Sequence, residues 1–241
     1  MSNKWIMKTS NGQIIKVADK GYEGSPGVHK IQNRLYVRSD RGIEPLKLDE
    51  QGLVKVHIKP TTTVVNFYAG PGAGKSVMAT SVFSSIKKKH IRAEYVSEVA
   101  KQWAWEKRQP VSFDQFYLFG QQSRSEYTKF GQVDYLITDS PVPLCAYFTK
   151  VYGTLRQRET LKNMAFTYLE MCEKESVIHK HFFLERIHAY DPQGRFQTEE
   201  EAVAMDEDQF RFFQAEMGLE IQKIPANEEG MQEVLLKLGV E

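Results

Sequence analysis

Cysteine is scarce in this chain. Only Cys145 and Cys172 occur in 241 residues, and neither stands at a metal-binding or redox spacing. A disulfide framework is therefore excluded, and a reducing compartment suits the composition. Long apolar runs are missing as well; none approaches the roughly eighteen residues of a membrane span. Charge of one sign is not in excess either. The formal net charge is +1, so no global field draws the molecule toward a polyanion. Met1-Ser2-Asn3-Lys4-Trp5 runs directly into polar sequence with no secretory pattern. These absences predict a cytoplasmic protein that makes no use of a membrane.

The small net charge hides an asymmetry. Residues 1–60 carry eleven Lys and Arg against six Asp and Glu, while residues 61–241 carry twenty-one against twenty-five. Residues 1–58 read as a small antiparallel β-module, with candidate strands at 5–8, 13–17, 34–37 and 53–58. Asn11-Gly12, Gly24-Ser25-Pro26-Gly27, Asp40-Arg41-Gly42 and Gln51-Gly52 punctuate them. Its basic balance fits a solvated β-surface, or a contact with DNA. Lys59-Pro60-Thr61-Thr62-Thr63 reads as a linker.

From residue 63 to 241 strands alternate with helical patterns, the signature of a parallel α/β sheet. Ala69-Gly70-Pro71-Gly72-Ala73-Gly74-Lys75-Ser76 lies between the apolar run Val64–Tyr68 and a helical pattern that opens with Val77 and Met78. Glycines at these positions let successive backbone N–H groups curl around an anion, and the helix N-terminus adds its own. Lys75 is then placed for the outer phosphates of ATP and Ser76 for Mg2+.

Asp139 ends the apolar strand Val133–Thr138, where a carboxylate can face the magnesium or accept a proton from an attacking hydroxyl. Ser140 and Pro141 follow it, so no Glu stands beside it to activate water. No Asn-Lys-x-Asp guanine-reading motif occurs either. Both absences favour transfer to an acceptor over hydrolysis. Arg186 and Arg195 flank a loop containing Pro192 and Gly194, between the strand 181–184 and a helix capped by Thr198 and Glu201. Such a loop can close over phosphates as a lid. Phe113, Phe116 and Tyr117 mark a helix opened by a Ser112–Gln115 capping box, a second helix covers Glu98–Trp105, and Tyr95, Trp103 and Trp105 read as core aromatics.

The phosphate loop, Tyr95-Val96-Ser97-Glu98-Val99-Ala100, Gln121-Gln122, Ile137-Thr138-Asp139-Ser140-Pro141 and the Glu185–Arg195 segment together resemble the AAA domain of NadR and Ttd14. That family is found among bacteriophage ATP-binding proteins and is similar in layout to thymidylate kinase. The resemblance implies a three-layer P-loop kinase fold over about residues 63–240. It also implies an ATP- and magnesium-dependent kinase acting on a nucleoside- or nucleotide-like acceptor, working in a host cytoplasm. Gly70 to Val77 would hold the nucleotide, and Ser76 and Asp139 the metal. Lys75, Asp139, Arg186 and Arg195 would serve catalysis, and Glu98, Gln121 and Arg124 would meet the acceptor. Two other readings stand beside it: a kinase of bases in DNA, gripping the polymer through residues 1–58, and a nucleotide-dependent regulatory protein without transfer chemistry.

Overall fold

A computed structural model describes residues 62–101, 103, 106–108, 110–187 and 198–240, together with the backbone of five strands within residues 5–45. The chain divides into two compact units, Met1–Ile58 and Lys59–Glu241.

In the first unit β1 (Trp5–Lys8) and β2 (Ile14–Val17) pair antiparallel. Strands β3 (Gly27–Ile31), β4 (Arg34–Ser39) and β5 (Gly42–Pro45) form an antiparallel three-stranded sheet. β3 and β5 begin on glycines that the sequence pattern assigned to turns. The candidate strand at 53–58 lies outside the described residues.

The second unit is built on five parallel strands: β6 (Thr63–Tyr68), β7 (Ala93–Val96), β8 (Tyr135–Thr138), β9 (Ile178–Glu185) and β10 (Ile221–Pro225). Their spatial order is β10-β9-β6-β8-β7, and every neighbouring pair is parallel. β6, which runs into the phosphate loop, is central. β8, which runs into Asp139, lies beside it. This is the three-layer α/β arrangement of P-loop kinases, and it brings the loop and the acid together at the carboxyl edge of the sheet.

Its main helices among the described residues are α1 (Lys75–Lys88), α2 (Asp114–Tyr127), α3 (Leu144–Tyr152), α4 (Leu155–Lys174), α5 (Glu199–Arg211) and α6 (Glu228–Lys237). α1 buries Met78, Ala79, Val82 and Ile86, one stripe at helical spacing, against Val65, Phe67 and Ile137 of the sheet. α6 joins the same layer through Met231, Val234 and Leu235. Opposite them, Tyr68 and Phe183 pack with Leu118 and Phe119 of α2, Ala146 and Tyr147 of α3 and Leu161 and Ala165 of α4.

Two expectations change here. No capping box forms at Ser112; Phe113 is the N-cap without a side-chain bond, and Asp114 instead accepts from the Val111 N–H at 3.0 Å. The inward face of α2 is Gln115, Leu118, Phe119, Gln122 and Glu126, whereas Phe113 and Tyr117 are exposed. Polar side chains face inward because the sheet and α4 offer them partners. Gln122 Nε2 donates to Thr138 Oγ1 at 3.2 Å, and the Tyr168 hydroxyl donates to Glu126 Oε2 at 2.5 Å. Beside them Asn66 Nδ2 meets His179 Nδ1 at 3.2 Å, and the Tyr68 hydroxyl meets His181 Nδ1 at 3.0 Å. The Thr198–Glu201 capping box forms as the spacing predicts.

This buried polar stripe titrates. Burial pushes the Glu126 carboxyl up from 4.5 to about 7, against the pull of the Tyr168 and Gln122 hydrogen bonds. Burial also lowers His179 to about 4 and His181 to about 3. A raised acid holds a proton in the folded chain that the unfolded chain has released. Stability from Glu126 is therefore complete below about pH 4.5 and is lost as pH rises through about 7. The lowered histidines act oppositely, contributing above pH 6.5 and losing their contribution as pH falls toward 4 and 3. Glu126→Gln should therefore gain on the order of 3 kcal/mol over the wild type at pH 8 and little at pH 5. Urea unfolding at both values checks this, and the same pH slope in both proteins would refute it.

Candidate functional site

The turn after β6 is shaped by its glycines. Gly72 and Gly74 have φ of 76° and 88°, a left-handed backbone that side chains rarely adopt. Gly74 is the N-cap of α1, no side chain caps that end, and the first turn holds no acid. The helix therefore presents its N-terminal N–H groups and partial positive charge to an anion. Lys75 lies back along the loop, with Nζ donating to the carbonyls of Ala69 at 2.8 Å and Gly70 at 3.0 Å. Val77 is 71% exposed beside it.

Ser76 and Asp139 meet. The Ser76 hydroxyl donates to Asp139 Oδ2 at 2.5 Å, and the carboxylate is buried. Its other oxygen, Oδ1, is buried with no hydrogen-bond partner among the described residues. A buried carboxylate with one unused oxygen, beside a hydroxyl and an anion-binding helix end, fits a hydrated magnesium ion shared with phosphates. Tyr95 belongs to the same corner. Its phenol is pushed well up, first by burial and then by the Asp139 charge. Tyr95 also packs against the core, as its strand position predicts, and nothing local to residues 93–96 signals its nearness to Asp139.

Arg186, directly after β9, reaches the loop from the other side. Its Nη2 donates to the Pro71 carbonyl at 2.8 Å and its Nε to Asp206 Oδ2 at 3.0 Å. Asp206 Oδ1 in turn accepts from the Gly70 N–H at 2.5 Å. Arg195 and the rest of the expected lid, residues 188–197, lie outside the described residues, as does Trp105.

The acceptor candidates separate. Glu98 is half-buried just past β7, close enough for its charge to be felt at Tyr95 and Cys145. Gln121 and Arg124 are exposed on α2, and Gln122 is the glutamine that turns inward. Of the helix expected over Glu98–Trp105, residues 99–100 form a turn, Lys101 and Trp103 are helical, and residues 102, 104 and 105 lie outside the described residues.

A cavity of about 400 Å³ opens beside the loop, lined by Gly74, by Val77, Met78 and Ser81 of α1, and by Ala226, Asn227, Glu228 and Met231 after β10. Sequence reasoning missed its far wall. The Asn227 side chain caps α6 by accepting from Gly230 N–H at 3.0 Å, and only this capping signal was available there.

No family model matches the chain, and no curated protein does. Among solved structures it is similar to APE1195, at 14% identity over 75% of this chain and 98% of that one, with a TM-score of 0.42. It is likewise similar to the APS kinase CysC of Mycobacterium tuberculosis, solved with AMPPNP and APS. There the identity is 10% over 75% of this chain and 98% of that one, again with a TM-score of 0.42. The fold is read from the chain's own strand order and loop. Among the described residues no helix is long and apolar enough to cross a membrane.

Proposed function

We propose that this protein is an ATP- and magnesium-dependent phosphotransferase with a nucleoside- or nucleotide-like acceptor, allied to the NadR and Ttd14 AAA domain. The observation that carries the reading is the Ser76–Asp139 pair at the mouth of an uncapped helix, with Asp139 Oδ1 left over. Magnesium bound there would screen the phosphate charge and orient the group to be transferred. Ser76 and Asp139 would hold the ion, Asp139 through water.

The backbone N–H groups of Gly72 to Val77 surround the phosphates, and Lys75 swings from the loop carbonyls onto the outer ones. The base occupies the cavity between Val77, Met78 and Met231, with the Asn227 amide at its polar edge. Arg186 faces the outer end of the phosphate chain from Pro71, where a fixed guanidinium offsets charge that builds during transfer. Arg195, the second candidate arginine, would offset charge on the same phosphates. Glu98 or Asp139 accepts the proton of the acceptor hydroxyl, and Gln121 and Arg124 approach the acceptor from α2. Positioning and electrostatics supply most of the rate in such a site.

Transfer from labelled ATP to nucleosides, nucleotides and duplex DNA, run in parallel, tests the reading. Label on a small-molecule acceptor is the expected result. Label on DNA alone would instead support a base kinase that uses residues 1–58. Tight ATP binding with no labelled product in any arm would leave a regulatory nucleotide-binding protein.

A further inference from the structure

The geometry points to Asp206 as a positioning residue that sets Arg186 against the phosphate loop. This inference rests on the phosphotransferase reading above and adds to it a residue outside the motif, 136 positions from the glycine it binds.

One carboxylate makes both connections. Oδ1 accepts from the backbone N–H of Gly70, at the entrance to the loop, and Oδ2 accepts from Arg186 Nε. The remaining reach of the guanidinium goes to the next loop carbonyl, Pro71. Arg186 and Asp206 are 11% and 16% exposed, so solvent screens their attraction little. A guanidinium held through Nε by a fixed carboxylate loses most of its rotamer freedom before any phosphate arrives.

Gly70 shows that this contact is built in. Its φ is not positive, so the backbone conformation does not call for glycine. A Cβ there would come within 2.6 Å of Asp206 Oδ1 and 2.7 Å of the Ala202 carbonyl oxygen, one of them backbone. Glycine is required because α5 presses onto the loop at this point.

The test compares Asp206→Asn, Arg186→Ala and the double variant by displacement of a fluorescent nucleotide, with ATP and with ADP, in magnesium. Asparagine keeps an acceptor for Gly70 N–H but loses the charge that holds Arg186. An arginine aimed at the outer phosphate favours ATP over ADP. Arg186→Ala should reduce that preference about tenfold, the worth of a charge-assisted hydrogen bond. Asp206→Asn should reproduce most of the loss, and the double variant should be no worse than Arg186→Ala. Asp206→Glu should recover part of the preference. A merely structural role would weaken ATP and ADP alike and lower the melting temperature; that result overturns the proposal. So does a double variant whose losses multiply, or Asp206→Asn behaving as wild type. Wild-type protein that binds neither nucleotide would instead overturn the phosphotransferase reading.

Discussion

Lys75→Ala is expected to abolish phosphate transfer and to weaken ATP binding, with a rate loss on the order of 10²–10³-fold or more. The ammonium carries the charge nearest the outer phosphates. Two loop carbonyls, those of Ala69 and Gly70, already hold it within the loop. Phosphate oxygens are stronger acceptors than carbonyls, so the side chain moves onto ATP at little cost. Alanine leaves the helix N-terminus intact, and part of the affinity remains through the backbone N–H groups. The variant should therefore stay folded, retain weak nucleotide binding and fail in transfer. Arginine does not replace it, because a planar fork does not fit where a point charge sat between two carbonyls. Unchanged turnover in Lys75→Ala would remove the central claim.

Asp139→Asn is expected to cut transfer by about 10³-fold while the fold survives. The amide oxygen can still accept from the Ser76 hydroxyl, so the 2.5 Å contact has a neutral substitute. What disappears is the charge facing the metal and the capacity of Oδ1 to take part in binding it. The magnesium concentration needed for half-maximal activity should rise with the rate loss, and this separates a metal-facing acid from a structural one. A loss of less than about tenfold, with a lowered melting temperature, would make Asp139 a strand-end cap.

Much of this site lies in local sequence, and some of it does not. The phosphate loop, the acid ending β8 and the Thr198–Glu201 capping box are defined by residues a few positions apart, so their chemistry is legible from spacing. Asp206 is not. It sits among Glu199, Glu200, Glu201, Glu207 and Asp208, a run that reads as a solvated acidic face. Only the fold brings Gly70 under it. α3 was missed because Leu144, Cys145, Ala146, Tyr147 and Thr149 are all buried, leaving no polar face to mark a helical period. α2 was found but turned the wrong way. Its aromatic residues suggested the core face, while Gln122 and Glu126 point inward because Thr138 and Tyr168 give them partners. Hydrophobic spacing cannot signal a polar interior whose other half comes from a separate strand and helix.

The strand order also sets a timetable for synthesis. β6 is the first strand of its sheet to leave the ribosome, yet its neighbours begin at Tyr135 and Ile178, and Thr63 pairs with both. At about 5–20 residues per second, the second of those partners follows roughly 6–23 s later. Until then the apolar strand Thr63–Tyr68 keeps at least one unpaired edge, so the nascent chain has an aggregation-prone stretch to shelter. The nucleotide-binding loop is made early and seated late. A protein truncated before β9 would hold the whole loop sequence and lack the strand and the Arg186 that hold it in place.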